Sequence, residues 1–295
     1  MPSRITSLAM AVVALLTLNA RPGAQDSRPL PNQDAFVAEA RRHLHSDRML
    51  LSQYTYTDKQ TRFERDSHGA VVKQTVKVFE VHTSVDDDLT YERLVSVDGI
   101  PVNRQALERS DHKQAQKERE QAAKLQVETP GDRSKRLEKA AELRRKEQAA
   151  IDEIFVAYSI RMLGRETLDG HSTITFTLEP RPDYQPRTDE GKILKKFRAR
   201  AWVSEDDYEV AKLEIEAIDN VLMGLGFVAR LDKGSRGVFE RRKINGEIWL
   251  PAEERFVGTA RILLVRQIKL DQLDEYSEYK KFSVETSTTF QRPAP

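Results

Sequence analysis

The sequence predicts an α+β protein in which a large, curved antiparallel sheet carries an N-terminal helix and an inserted, long helical hairpin. Two regions, 54–97 and 163–287, alternate apolar and polar residues with a period of two, which is typical of half-buried strands. Short turns join these strands, so neighbours must pair antiparallel. About nine to twelve strands are expected, and a sheet of that size must curl, close or split into layers.

The first part of the sheet follows a predicted helix over Asp34–Met49. Phe36, Val37, Ala40 and Leu44 recur at helical spacing in this segment. The period of the apolar residues then changes to two. An Asp-Ser-His-Gly turn at 66–69 separates two strand-like runs that should form a hairpin. The strands predicted here are Tyr54–Arg65, Val71–Ser84 and Leu89–Val97.

The block 103–162 differs in kind from its surroundings. Between Tyr91 and Phe155 there is no Phe, Trp or Tyr, and Lys, Arg, Glu, Gln and Ala dominate. Two helices are predicted, Arg104–Leu125 and Asp132–Met162, with Thr129-Pro130-Gly131 between them. The mixed charges favour a solvated hairpin over a specific anion-binding surface, although Arg144-Arg145-Lys146 is a local basic cluster.

The second part of the sheet holds most of the predicted strands. In Leu194–Ser204 the alternation sets Phe197 on one face and Trp202 on the other. Asn245-Gly246 predicts a tight hairpin turn, and Pro251 indicates an edge or a bulge. The predicted strands are 163–168, 172–178, 194–204, 209–218, 224–232, 236–243, 247–257, 260–270 and 275–287.

Residues 1–24 are predicted to be a signal peptide, followed by a flexible leader over 25–32. Arg4 precedes the uncharged apolar run Leu8–Leu18, and Ala20 or Ala24 would precede the cleavage point. A membrane anchor is the alternative, but spanning a bilayer needs about 20 apolar residues and this run is shorter. The mature chain is therefore expected to be exported, periplasmic or secreted, with no transmembrane span.

Composition and motifs argue against several classes of function. The balance of 48 Lys and Arg against 47 Asp and Glu, a net charge of +1, argues against a nucleic-acid partner. The chain has no cysteine, which removes disulfides, thiol nucleophiles and zinc–thiolate sites. His43 and His45 would point about 200° apart on a helix, and Asp86-Asp87-Asp88 lacks the glycine and final glutamate of a calcium loop.

No Gly-x-Ser-x-Gly motif and no phosphate-binding glycine loop occurs. We therefore expect no metal, no cofactor and no catalytic residue, and we interpret the protein as a non-enzyme.

A few aromatic and apolar side chains are candidates for lining a hydrophobic ligand site under the curved sheet. The commoner role of such residues in strands is core packing, and that alternative stays open. The run Val221–Val228 is the most apolar stretch of the mature chain. The candidate ligand-binding residues are Tyr54, Tyr56, Phe197, Trp202, Leu213, Ile215 and Trp249.

Two segments resemble the LolA/LolB-like superfamily of periplasmic lipoprotein carriers. Ala201–Glu214 has a strand with an aromatic residue, an acidic turn and a returning Lys-Leu-Glu strand, and Gly246–Glu254 is similar to a later strand of that sheet. The likeness covers about 33–97 and 163–287, whereas the hairpin 103–162 departs from it. It implies a single domain over 33–290, an unclosed β-barrel whose concave face shelters acyl chains.

Two functional hypotheses follow. The first is a periplasmic carrier or chaperone that binds a lipid or a lipidated protein in the concave face of the sheet. The second is a non-enzymatic envelope scaffold or sensor module whose helical hairpin binds an envelope protein.

Overall fold

A computed structural model describes residues 28–44, 48–84, 89–223, 229–262 and 266–281. These residues form five helices and thirteen strands. The helices are α1 (Gln33–His43), α2 (Arg48–Leu51), α3 (Arg104–Gln126), α4 (Pro130–Ala157) and α5 (Asp189–Leu194). The strands are β1 (Tyr54–Arg65), β2 (Val71–His82), β3 (Tyr91–Val97), β4 (Ile100–Pro101), β5 (Tyr158–Leu168), β6 (His171–Pro180), β7 (Phe197–Ser204), β8 (Val210–Ala217), β9 (Val221–Met223), β10 (Ala229–Leu231), β11 (Arg236–Ile244), β12 (Ile248–Ile262) and β13 (Arg266–Lys281).

All thirteen strands belong to one antiparallel sheet, which is not closed into a barrel. The order is β4-β3-β2-β1-β13-β12-β11-β8-β7-β6-β5, and the short β9–β10 hairpin pairs with β12. The sheet is therefore two meanders, one from each end of the chain, joined by the pairing of β1 with β13. The predicted fold class is confirmed. The chain passes from β4 at one edge to β5 at the other through α3 and α4.

Helix α1 covers one face of the sheet, which we call the helix face. The side chain of Asn32 caps the helix by accepting a hydrogen bond from the backbone N–H of Ala35 at 3.0 Å. Phe36 is buried against Ile174, Phe176 and Val203. The apolar stripe predicted for this segment is thus what attaches the helix to strands β6 and β7.

Residues paired across the sheet share a face, and one such row crosses most of the helix face. The row changes from apolar to polar between β11 and β12. Its members, from β6 to β1, are Phe176, Ala201, Leu213, Phe239, Glu254, Asp274 and Gln60. The helix face is consequently divided into an apolar half near α1 and a carboxylate-bearing half near β1.

Helix α4 is fixed to the sheet by a buried carboxylate near its C-terminal end. Glu153 accepts hydrogen bonds from the Tyr184 and Thr188 hydroxyls and from the Arg187 backbone N–H, the last at 2.7 Å. Burial opposes ionisation, but these donors outweigh it and lower the pKa of Glu153 to about 2. Gly191 completes the cluster, because a Cβ there would collide with the Glu153 carboxylate.

Several predicted boundaries are wrong. The first helix ends at His43, where Leu44 becomes extended, instead of continuing to Met49. The second long helix begins at Pro130 with Thr129 as its cap, not at Asp132, because proline is favourable in the first helical turn. It ends at Ala157, and the stretch 158–162 belongs to β5.

The C-terminal strands are longer and fewer than predicted. The segments 247–257, 260–270 and 275–287 were expected to be three strands, whereas the structure has two, β12 and β13. The predicted turn at Asn245-Gly246 is confirmed, with φ of 52° and 72°. Pro251 lies beside a register shift between β11 and β12, so the predicted bulge is confirmed as well.

Some predictions concern residues outside those that the structure describes. They are the signal peptide over 1–24, the Asp86-Asp87-Asp88 turn and the 224–228 part of the apolar run. Within the described residues, no helix is long and apolar enough to cross a membrane.

Replacing the buried carboxylate of α4 should weaken the fold. In Glu153→Gln one amide nitrogen faces donors, so at least one hydroxyl or N–H loses its acceptor. We expect a loss of about 2–3 kcal/mol in the free energy of unfolding at pH 7, measured by urea denaturation. The exposed Glu138→Gln on the same helix is the matched control and should change it by less than about 0.5 kcal/mol. Equal midpoints for the two variants would contradict the assigned role.

Candidate functional site

The helix face carries a groove at its apolar end, where α1, α4 and the edge strand β5 meet. We call it the α1–α4 groove. Its volume is about 720 Å³, within the range of small-molecule sites. The residues that line it are Gln33, Asp34, Val37, Ala38, Arg41, Arg42, Leu44, Gln148, Phe155, Tyr158, Ile160 and Arg181.

The walls of the groove come from residues that local structure holds in place. Val37 lies one position from the buried Phe36 on α1, and Ile160 packs against the same core from β5. Gln33 ties the helix to that strand, because its side chain accepts from the Met162 N–H at 2.8 Å and donates to the Ile160 carbonyl at 3.2 Å. The apolar floor therefore combines Val37 of α1, Phe155 of α4 and Ile160 of β5.

Arginines give the groove its charge. Arg41 bridges α1 and α4, with its Nη2 at 2.6 Å from Asp152 Oδ1 and its guanidinium 5.2 Å from the centre of the Phe155 ring. Arg181 donates to the Tyr158 carbonyl at 3.0 Å, and no carboxylate among the described residues pairs with it. An anionic group entering the groove would find Arg181 without a competing carboxylate.

The carboxylate-bearing half of the helix face forms a second candidate region. We call it the carboxylate–tyrosine cluster and define it as Tyr56, Asp58, Glu254, Asp274 and Tyr276. Asp58 is directly opposite Tyr276 across β1 and β13, and Asp274 is directly opposite Glu254 across β13 and β12. The Tyr56 and Tyr276 rings meet edge to face, with centroids 5.8 Å apart.

The acidic groups of this cluster are held in an environment that disfavours their charge. Burial raises the pKa of Asp58 to about 6; a hydrogen bond from Gln60 lowers it, and Asp274 raises it again. Burial also raises the pKa of Asp274, although the nearby Arg62 opposes this. Perturbed carboxylates of this kind are concentrated at functional sites, which makes the cluster a candidate.

The seven candidate residues predicted from the sequence do not form one site. Phe197, Leu213 and Ile215 share the helix face, each paired with an apolar neighbour in the sheet. Trp202 is on the opposite face, where its Nε1 donates to Glu166 at 2.9 Å and Arg200 lies 4.7 Å from its ring. The surroundings of Trp202 are filled by these side chains, and its indole is 4% exposed.

Trp249 and the two tyrosines lie elsewhere. Trp249 is buried and donates from Nε1 to Asp207 at 2.9 Å. Tyr54 and Tyr56 both contact the ring of Tyr279, at 6.2 and 5.2 Å between centroids, so they share a side of β1 as predicted. Tyr56 belongs to the carboxylate–tyrosine cluster, and Tyr54 precedes it by two residues on the same side of β1.

Sequence reasoning missed the groove residues and the acidic members of the cluster. Asp58 follows Tyr54 and Tyr56 at period-two spacing, which was a usable signal that it shares their face. Asp274 and Glu254 had no comparable signal among 47 acidic residues. Within the part of the chain that the structure describes, no three His, Cys, Asp or Glu side chains are grouped as metal ligands.

Comparison with known proteins gives similar structures but no sequence relatives. Neither a protein-family model nor a curated protein matches the chain. A LolA superfamily protein from Nitrosomonas europaea aligns with a TM-score of 0.31 and 10% identity, over 86% of this chain and 96% of that one. An outer membrane lipoprotein-sorting protein domain from Vibrio parahaemolyticus aligns with a TM-score of 0.30 and 7% identity, over 86% and 92%.

A third similar structure is the MucA/MucB complex from Pseudomonas aeruginosa, with a TM-score of 0.21 and 7% identity, over 82% of this chain and 93% of that one. These TM-scores are low, so the fold of this chain is described by its own strand order.

Ionisation of the buried Asp58 makes the free energy of unfolding depend on pH, and Asp58→Asn should remove this dependence. The folded-state pKa of about 6 lies above the usual 3.8, so this contribution is fully present below about pH 4 and is lost as pH rises through 6. The neutral amide avoids that loss. We expect the variant to be roughly 1–3 kcal/mol more stable than the native chain at pH 8 and equal to it at pH 4, by urea denaturation. A pH-independent difference would contradict the burial of an ionising Asp58.

Proposed function

We propose that this chain is an exported carrier or chaperone, periplasmic or secreted, that binds the acyl chain of a lipid or a lipidated protein. The observation that carries the proposal is the α1–α4 groove on the helix face. Its volume of about 720 Å³ and its floor of Val37, Phe155 and Ile160 suit an apolar chain. The proposal assigns a binding role and no catalytic residue.

The energetics of acyl burial support this role without any specific polar contact. Each methylene removed from water contributes about 0.8 kcal/mol. Eight buried methylenes would therefore contribute about 6 kcal/mol before the cost of ordering the chain is subtracted. Micromolar affinity corresponds to about 8 kcal/mol, so a groove that holds a longer chain is sufficient for a carrier that must also release its cargo.

The charge of the groove favours a cargo with an anionic end. Arg181 has no carboxylate partner among the described residues, whereas Arg41 and Arg42 in the same groove are paired with Asp152 and Glu39. A carboxylate or phosphate beside the acyl chain would form charge-assisted hydrogen bonds with a guanidinium. Fatty acids and anionic phospholipids combine these two features.

Removing the aromatic wall of the groove should weaken acyl binding. Phe155→Ser takes away an apolar surface that lines the groove, and we expect about tenfold weaker binding of the fluorescent fatty acid cis-parinaric acid. Leu143→Ser, an exposed apolar position on the same helix that does not line the groove, is the matched control and should bind as the native chain does. Equal loss in both variants would argue against the groove as the site.

Recovery of the natural cargo tests the proposal itself. Protein purified from its native compartment should carry fatty acid or phospholipid in native mass spectrometry. Protein that carries none, and that also fails to bind cis-parinaric acid, would contradict a carrier function.

The second candidate function, a scaffold or sensor module, is favoured by the exposed apolar side chains on the far part of α3 and α4. Leu125, Val127 and Leu137 are 45%, 79% and 51% exposed. The triple variant Leu125→Ser, Val127→Ser, Leu137→Ser removes these side chains and keeps the contacts of Gln114 and Glu153 with the rest of the fold. If the hairpin binds an envelope protein, this variant should lose an in-cell crosslinked partner while its unfolding temperature is unchanged. Retention of every crosslink would contradict this function.

A further inference from the structure

Asp58 is a buried carboxylate without a cation. Asp58 is 6% exposed. One of its carboxylate oxygens, Oδ2, accepts a hydrogen bond from Gln60 Nε2 at 2.7 Å. The other oxygen, Oδ1, is buried with no hydrogen-bond partner among the described residues. Buried carboxylates in proteins are normally paired, because an isolated charge loses its hydration without compensation. Asp58 must therefore either take a proton or meet a cation, and no basic side chain among the described residues pairs with it.

On the opposite face of the same strands, a buried aspartate is paired with arginine side chains of the same chain. Asp271 on β13 is also 6% exposed, and it forms ion pairs with Arg65 at 2.5 Å and with Arg255. Both guanidinium groups lie against the Phe63 ring, 5.9 and 4.8 Å from its centre. The comparison indicates that the unpaired state of Asp58 is specific to that position, not a general property of the sheet.

The charges that shift the pKa of Asp58 come from two acidic residues, on strands β13 and β3. Asp274 and Glu92 both raise the pKa of Asp58 through their charges, and Glu254 is paired with Asp274 in the sheet register. Two basic residues share this face, Arg62 and the exposed Lys77, each paired in register with a neighbouring glutamine. Neither forms an ion pair with Asp58 among the described residues. The local potential therefore favours a cation from outside.

Aromatic rings next to the carboxylate select the kind of cation. Tyr276 is directly opposite Asp58, and Tyr56 is two residues before it on the same face of β1. Burial raises the pKa of both tyrosines, which keeps them neutral. Neutral aromatic rings attract organic cations through their faces. A divalent metal is disfavoured, because within the described residues no three carboxylate or imidazole groups are grouped as ligands.

We propose that the carboxylate–tyrosine cluster is a binding site for the protonated amine of a small organic molecule, with the ammonium group on Asp58 Oδ1 beside the Tyr56 and Tyr276 rings. The site is distinct from the α1–α4 groove. Strands β1 and β5 are seven steps apart in the sheet order, roughly 30 Å along the sheet at about 4.8 Å per step. No residue of the cluster lines the groove, so we assign the amine to a separate, free molecule.

Calorimetric titration of the whole mature chain with ethylammonium chloride tests the proposal. Sodium chloride at equal ionic strength and ethanol are the reference titrants. We expect saturable binding of ethylammonium to the native chain and at least tenfold weaker binding to Asp58→Asn. Tyr276→Leu, which keeps the carboxylate but loses the ring, should also bind more weakly. Glu275→Gln, on the same strand with its side chain paired to Lys59, is the matched control and should bind normally.

The pH dependence supplies a second readout that a merely structural role would not produce. Affinity for ethylammonium should rise several-fold between pH 5 and pH 7.5, because Asp58 must ionise while the amine stays protonated. Equal binding to Asp58→Asn, or equal heats with sodium chloride, would overturn the proposal. Asp58-dependent binding of phosphatidylethanolamine vesicles without binding of ethylammonium would overturn the free-molecule assignment. Cis-parinaric acid binding is unaffected by any of these outcomes, so the carrier function is tested separately.

Discussion

The pairing of β1 with β13 is the contact on which the rest of this structure depends. It joins residues about 220 positions apart, such as Thr57 and Ser277, and it unites two meanders that would otherwise be separate sheets. Closing a loop of that length costs about 5 kcal/mol of chain entropy. The long ladders of β1, β12 and β13 offset this cost, and they are also where both buried aspartates, Asp58 and Asp271, are found. The same pairing therefore creates the sheet and sets the carboxylate–tyrosine cluster at its centre.

The joining of β1 to β13 also explains the two long helices. Since β4 and β5 are at opposite edges of the sheet, the chain between them has to cross the whole molecule. Helices α3 and α4 make that crossing, and each is attached near one end. Asp111 of α3 binds Arg93, with Nε at 2.8 Å, and Glu153 of α4 is held by Tyr184 and Thr188. The stretch between these anchors is largely exposed, which accounts for its charged sequence.

How much of this is predictable from sequence depends on the range of the interaction involved. The hairpin of β1 and β2 and the turn at Asn245-Gly246 were predicted because they depend on neighbours in the chain. The alternation of β7 likewise placed Phe197 and Trp202 on opposite faces. The junction of β1 with β13 and the role of the helices as an edge-to-edge crossing were not predicted, because short-range periodicity carries no information about which meanders pair.

The same limit applies to the candidate site. Tyr54 and Tyr56 were identified because they are aromatic and share a strand face, whereas Asp274 and Glu254 join them only through strand pairing. The α1–α4 groove needs α4 to end at Ala157, so that β5 supplies Ile160; the predicted helix to Met162 would have removed this wall. The predicted end of α4 was therefore five residues too late, and for this reason the sequence did not predict the α1–α4 groove.

The division of the helix face has a physical consequence for ligand binding. An acyl chain gains free energy by leaving water, so it is bound best where Val37, Phe155 and Ile160 present apolar surface. It would gain nothing at Asp58, where a buried carboxylate must either take a proton or meet a cation. An ammonium ion has the reverse preference, since it gains from the carboxylate of Asp58 and is repelled by Arg181 in the groove. Because the row from Phe176 to Gln60 changes character only once, between Phe239 and Glu254, we expect each class of ligand to bind at one half of the face.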